Sequence, residues 1–398
     1  MAFHSMREPA PRNLIRLVGI LFLSYLCIAM SLPVVPVFVT DRLGLGNVAA
    51  GLGVGMVFLA TIASRARAGG ISDRRGPKTA LGQGLLLYIA GALVSALSGA
   101  MPDMPAAAYA VLLAGRVVLG IGESLVTVGV VAWAIGIGGP ARSGGVLALI
   151  GAAMYGAFAV GGPVGLALLG SVGFAGTMLV GAILPCLGLL AIRGIPGIEA
   201  HPAGPRTALR QVLGAIWPHG SIVCLQGIGF AAIGAFFALL FLDRGWAHAG
   251  LGLTAFGGGF VVVRLLLGHL PDRLGGLRVA MISLGVEAVG QALIWSAGHA
   301  LPAMVGAFMT GLGCSLVFPS MGREVVRLVD PRLRGTAMGS FAAFQDLAYG
   351  LTGPLAGFLA DRAGYGSVFL IGAVAAGTGL VVAALLRARE SRRVEEPL

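Results

Sequence analysis

The chain has 398 residues, 57% of them hydrophobic and 11% charged, with a mean hydropathy of +0.93. A soluble protein of that length carries about a quarter charged residues, so lipid is the solvent that suits such a surface. The net charge of +11 would suit nucleic acid, but the cations lie between apolar runs rather than on one patch, and that excludes a nucleic-acid partner.

A helix needs about 20 apolar residues to cross the hydrocarbon, and the sequence predicts an all-α integral membrane protein with twelve such spans. In chain order they cover Leu14 to Val39, Val48 to Ala63, Thr79 to Ala100, Ala106 to Ile137, Gly144 to Leu169 and Phe174 to Ile192. After a polar stretch holding three prolines come Val212 to Leu242, Leu251 to Leu270, Leu277 to Ala297, Leu301 to Val329, Thr336 to Ala360 and Tyr365 to Leu386. The first span follows basic residues, as a signal peptide would, but it is long enough to cross and lacks a small-residue cleavage site. It reads as a retained helix.

Motifs repeat across the divide. Arg65-x3-Gly69-x3-Asp73-Arg74-x-Gly76 after span 2 returns as Arg264-x3-Gly268-x3-Asp272-Arg273-x-Gly275 after span 8, at an offset of 199. Gly120-Ile121-Gly122 matches Gly311-Leu312-Gly313, and Gly162-Pro163 matches Gly353-Pro354, both at an offset of 191. Ordered matches in equivalent places imply two duplicated halves, 1–193 and 211–398, joined by a linker at 194–210.

If the N-terminus is cytoplasmic, 23 of the 27 basic residues fall on the cytoplasmic side; Arg42, Arg244 and Arg362 fall opposite and Arg116 inside a span. That asymmetry places both termini in the cytoplasm.

Charges within spans are costly and mark function by default. Away from the helix ends they are Arg116, Glu123, Glu287 and Asp346. Glu123 follows Arg116 by seven residues, on the same face and about 10 Å along the axis. Its side chain leans toward the helix start, so the expected pair is Glu123 with Arg116, bridged by water. Asp346, with Gln345 beside it and Tyr349 nearly a turn later, is a second proton-coupling candidate. At the offset of 191, Glu123 matches Cys314 and Asp346 matches Tyr155, so acids stand where symmetry would not require them. Glu287, with Gln291 one turn on, reads as a structural hydrogen bond. Tyr25, Tyr155, Gln226, Gln345 and Tyr349 sit at depths suited to cargo, and helix packing explains each of them equally well. The four cysteines and six histidines show no metal or disulfide spacing, and no phosphate-binding loop is present, so no cofactor is expected.

These residues resemble the major facilitator superfamily over essentially the whole chain. The family's loop signature, G-x-x-x-D-R-x-G-R-K, stands here as Gly69 to Lys78 and departs from it at Pro77. Gly115 to Ser124 resembles the family's fourth-helix motif. With Leu351 to Gly357, these features are most similar to the bacterial YhhS and YfcJ group, which is associated with sugar or drug efflux.

The resemblance implies two pseudo-symmetric six-helix halves that rock about a central cavity. Helices 1, 4, 7 and 10 would line it, helices 2, 5, 8 and 11 would join the halves, and helices 3, 6, 9 and 12 would face lipid. The Asp-Arg loops, including Lys78, would then be cytoplasmic gates. A glycine-proline motif in helix 5 implies an antiporter, although of the signature's two closing glycines only Gly165 remains. The expected function is a proton-coupled antiporter, working as a monomer in the bacterial inner membrane and exporting a drug, sugar or metabolite. A proton- or sodium-coupled importer of a sugar or organic acid is the alternative; a polytopic membrane enzyme lacks a supporting constellation, and a membrane receptor would have no need for paired gates.

Overall fold

The computed structural model describes residues 10–101, 103–139, 143–198, 209–329 and 334–395. Most of the expected linker, and the basic residues Arg7, Arg142, Arg206 and Arg332, lie outside the described residues. Among the described residues all regular structure is helical, the form that satisfies backbone polar groups in lipid without a partner strand.

The first group of helices is α1 (Ala10–Val37), α2 (Asn47–Arg75), α3 (Pro77–Ser98), α4 (Pro105–Gly138) and α5 (Ser143–Ile192). The second is α6 (Leu209–Asp243), α7 (Leu251–Leu267), α8 (Leu270–Leu274), α9 (Gly276–Trp295), α10 (Ala300–Leu328), α11 (Arg334–Ala363) and α12 (Gly366–Glu395). Helix α5 has 50 residues, about 75 Å at 1.5 Å per residue, more than twice the hydrocarbon thickness. It breaks at Gly173, where φ is 69° and ψ −175°, so its two limbs are the fifth and sixth spans.

The predicted span Leu251 to Leu270 is interrupted after Leu267, and the short α8 follows, carrying Asp272. Helix α1 runs on past its prolines into a π-helical turn, Phe38–Arg42, in which Leu43 N–H bonds the Phe38 carbonyl at 3.1 Å. Counting α5 as two segments and α7 with α8 as one, the described residues supply a helical segment for each of the twelve expected spans, and nine of the helices, α5 counted once, are long and apolar enough to cross a membrane.

The paired loop glycines have one physical cause. Gly76, between α2 and α3, has φ 85° and ψ 151°, and Gly275, between α8 and α9, has φ 87° and ψ 145°. Side chains with a Cβ rarely adopt that backbone. The repeat therefore encodes the same sharp corner twice.

Apolar side chains exposed at helical spacing mark the outer surface. They include Leu86, Leu93 and Leu97 on α3, Leu179, Ile183, Leu187 and Leu190 on the second limb of α5, Ile282 and Val289 on α9, and Val374, Val381 and Leu385 on α12. Those helices are spans 3, 6, 9 and 12, and these faces suit lipid. Between the two groups, α2 packs on α11 and α5 on α7.

Candidate functional site at the junction of the halves

The junction is built from glycine. A methyl group on Gly51 or Gly55 of α2 would overlap the carbonyls of Gly353 or Gly350 of α11, and one on Gly357 would overlap the Asn47 carbonyl. The two helices therefore run antiparallel in backbone contact. That contact brings Arg65, farther along α2, level with Asp346 on α11, and the two form an ion pair between the halves. Asp346, the second carboxylate singled out in the sequence, is thus paired with a cation, and Arg65 of the loop motif joins the two halves.

The glycine-proline motifs serve the same seam. Pro163 has no N–H for the Ala159 carbonyl one turn back, and the hydroxyl of Thr254 on α7 donates to that carbonyl instead, at 2.7 Å. A Cβ on Gly162 or Gly250 would press on the facing helix. On α11, Pro354 likewise frees the Gly350 carbonyl, which faces Gly55 across the seam.

Glu123 on α4 is 4% exposed. Tyr25 Oη of α1 donates to its Oε1 at 3.1 Å, and Thr61 Oγ1 of α2 to its Oε2 at 3.0 Å. Tyr25 Oη also lies 3.2 Å from Thr127 Oγ1. Thr61 reaches the carboxylate because α2 and α4 touch at Gly120, where a Cβ would overlap the Val57 carbonyl. Gly122 makes the matching close approach to α3.

Arg116 does not complete the expected pair with Glu123. Its Nε donates to the Gly53 carbonyl at 3.1 Å and its Nη1 to Ser31 Oγ at 2.9 Å. The helix repeat places the two residues on one face, but oxygens of α1 and α2 lie closer to the guanidinium. Its role is to tie three helices of the first half together.

Three of the predicted cargo residues meet in an aromatic cluster. Tyr155 Oη of α5 and Tyr349 Oη of α11 lie 3.2 Å apart. Tyr155 stacks on Phe260 of α7 at 3.5 Å between ring centroids, and Phe230 of α6 stands 4.7 Å from Tyr349 and 5.0 Å from Phe158. Phe158 meets the Tyr25 ring edge-on at 5.9 Å. Gln226 is buried on α6 near Cys314. Gln345 is half-buried beside Asp346 and joins none of these hydrogen bonds.

Sequence reasoning missed Thr61 and the phenylalanines. Thr61, one turn before Arg65 on the same helix, carried a signal in its spacing. The phenylalanines carried none, because lipid-facing helices hold the same residue type.

Glu287 lies in α9 with no exposed surface, its carboxyl facing Gly229 of α6 and the Cys314 thiol of α10. Its expected partner Gln291 donates instead to the Gly229 carbonyl at 3.1 Å and to Thr310 Oγ1 at 3.3 Å.

At the end of the bundle where α1 begins and α12 ends, Asp73 and Arg74 are exposed and Gly69 is half-buried. Lys78 Nζ donates to the Ile195 carbonyl at 2.7 Å beside Trp133, which fastens the chain beyond α5 to the first half. Asp272, exposed on α8, pairs with Arg323 of α10 at 3.4 Å, while Gly268 ends α7 and Arg273 closes α8. At the opposite end, Asn47 Nδ2 donates to Asp361 Oδ1 at 2.7 Å and Tyr365 Oη to Asn47 Oδ1 at 2.9 Å. These bonds join the halves.

A family model for the Major Facilitator Superfamily matches residues 17–247 and 220–398. The chain belongs to that superfamily. An uncharacterized MFS-type transporter of Salmonella typhimurium is 43% identical over 374 residues, covering 94% of this chain and 96% of the relative. Among solved structures, a D-xylose–proton symporter aligns with a TM-score of 0.76 at 17% identity, over 93% of this chain and 96% of that one. A nucleoside transporter aligns with a TM-score of 0.73 at 17% identity, over 94% and 99%. The fold is that of this superfamily, and the protein is a multi-pass membrane transporter.

Proposed function

We propose that this major facilitator protein is a proton-coupled antiporter. It exports a small organic molecule from a bacterial cytoplasm by alternating access, acting as a monomer in the inner membrane with both termini cytoplasmic. Halves 1–193 and 211–398, with the linker 194–210, are the moving units.

The observation that carries this reading is the setting of Glu123. Its carboxyl is held by hydroxyls of α1 and α2 and, among the described residues, forms no ion pair, with Asp346 and Arg65 of the seam within electrostatic reach, so its proton affinity depends on donors and charges that move with the halves. One of those donors, Tyr25, touches Phe158, and Phe158 touches Phe230 of the other half. Cargo entering the aromatic cluster shifts Tyr25 and changes the hydrogen bonds to Glu123, which links occupancy to protonation. The Arg65–Asp346 pair and the Asn47, Asp361 and Tyr365 bonds hold the halves together and must break or re-form as they rock. The loops with Asp73 and Asp272 act as the gate at the terminal end.

The test is flux in proteoliposomes, with cargo chosen by a thermal-shift screen and protons followed by an internal pH dye. The account predicts cargo movement against the proton flow, unaffected by replacing sodium with potassium. In Glu123→Gln, exchange of labelled for unlabelled cargo continues while drive by the pH gradient is lost. Cargo and protons moving in the same direction would make it a symporter.

A further inference from the structure

Arg65 and Arg264 occupy the same position in the repeated motif, and so do Asp346 and Tyr155 at the other offset. The structure keeps this relation in space. Arg65 of α2 faces α11 and finds the Asp346 carboxylate. Arg264 of α7 faces α5 and, among the described residues, pairs with no carboxylate.

Its guanidinium lies beside Gly151, where a Cβ would come within 3.1 Å of Nη2, on the α5 face that presents Tyr155 one turn later. The Arg264 Cζ is 5.4 Å from the Phe260 ring centre, and Phe260 stacks on Tyr155. Among the described residues its buried Nε has no hydrogen-bond partner and no acid forms an ion pair with it. Guanidinium offers five donors in a planar fork. A charge set partly out of water is costly until a counter-charge arrives.

The acids of the junction do not meet this need. Asp346 is taken by Arg65, and Glu123 by two hydroxyls. Arg116, also without a carboxylate, is wholly enclosed in the first half and already donates to two oxygens.

We propose that the missing counter-charge is the cargo's own: Arg264 binds the carboxylate of an organic anion whose flat apolar body rests among Tyr155, Phe230 and Phe260. The guanidinium fork matches a carboxylate with two parallel hydrogen bonds. The rings on one side supply apolar contact for an aromatic or amphipathic body. This rests on the reading of the chain as a carrier, and it names what is carried.

The probes are aromatic carboxylates of one to three rings, each matched with its neutral amide and its amine of the same skeleton. Binding is measured to the full chain in detergent, by thermal shift and by titration. Equilibrium binding needs neither a gradient nor proton coupling, so a failure here is separate from a failure of the antiport reading.

The carboxylates are expected to bind best, with at least tenfold loss in Arg264→Gln and partial recovery in Arg264→Lys, while amide binding changes little. Apo stability of Arg264→Gln should stay close to wild type, because no hydrogen bond or ion pair is lost and only the contact with the Phe260 ring goes; an arginine held in a structural ion pair would lower it by more. If Arg264→Gln does not fold, Gly151→Leu fills the space beside Nη2 and should weaken the carboxylates more than the amides. Binding dominated by the amines, no binding by any carboxylate, or carboxylate binding indifferent to these changes would overturn the proposal.

Discussion

A guanidinium and a carboxylate that face each other away from water stabilise a structure only as a pair, because removing one leaves the other uncompensated. Arg65 and Asp346 meet that condition, with side chains 21% and 12% exposed. Arg65→Ala should therefore lower stability by about 3 kcal/mol, and adding Asp346→Ala should restore part of the loss. A double-mutant cycle in thermal unfolding measures this, and purely additive losses would show that the pair does not hold the halves. The acids themselves were legible in the sequence, since an ionisable residue in a span is conspicuous. Their partners were not. Spacing along α4 suggested Arg116 for Glu123, but the donors came from α1 and α2, whose side-by-side placement no local pattern specifies.

At the scale of helices, contact depends on glycines that the duplicated motif already displayed. Gly120 lets α4 touch α2 at the Val57 carbonyl, and its match Gly311 lets α10 touch α7 at the Phe256 carbonyl; a methyl group at either would overlap. Gly120→Ala should cost about 2 kcal/mol by overpacking and weaken drive by the pH gradient by moving Thr61 off Glu123, while exchange of labelled for unlabelled cargo continues. Gly82→Ala, where nothing lies within 4 Å, should change neither. Unfolding and pH-gradient-driven flux measured together decide this, and equal behaviour of the two variants would contradict it.

The bonds among Asn47, Asp361 and Tyr365 at the far end form a second element-scale device. Partial burial holds the Tyr365 phenol above its usual 10, so it keeps its proton and donates to Asn47 throughout neutral and mildly alkaline pH. That contribution is present below the unfolded value and lost only as pH rises past the raised one. Tyr365→Phe removes a bond of about 1 kcal/mol, a roughly fivefold shift toward states open at that end. Spin labels at the exposed Asp103 and His299 should report more of the longer distance in Tyr365→Phe. Wild type should show no change between pH 7 and pH 9.

For the whole molecule, composition dictated lipid as solvent, and the ordered repeats dictated two similar halves. The outward apolar stripes of spans 3, 6, 9 and 12 follow from that plan. The joint between the fifth and sixth spans was legible, since the expected spans stop at Leu169 and resume at Phe174 on either side of the Gly173 corner, whereas the break after Leu267 that divides the eighth was not. The aromatic cluster was illegible because it exists only where the halves meet. The account's central claim is that cargo in this cluster alters the protonation of Glu123. Its most direct measurement is proton release or uptake when cargo is added to the purified protein in unbuffered detergent solution. The account predicts a pH change that saturates with cargo binding in wild type, and no change in Glu123→Gln although that variant still binds cargo. An equal proton signal from both proteins would contradict it.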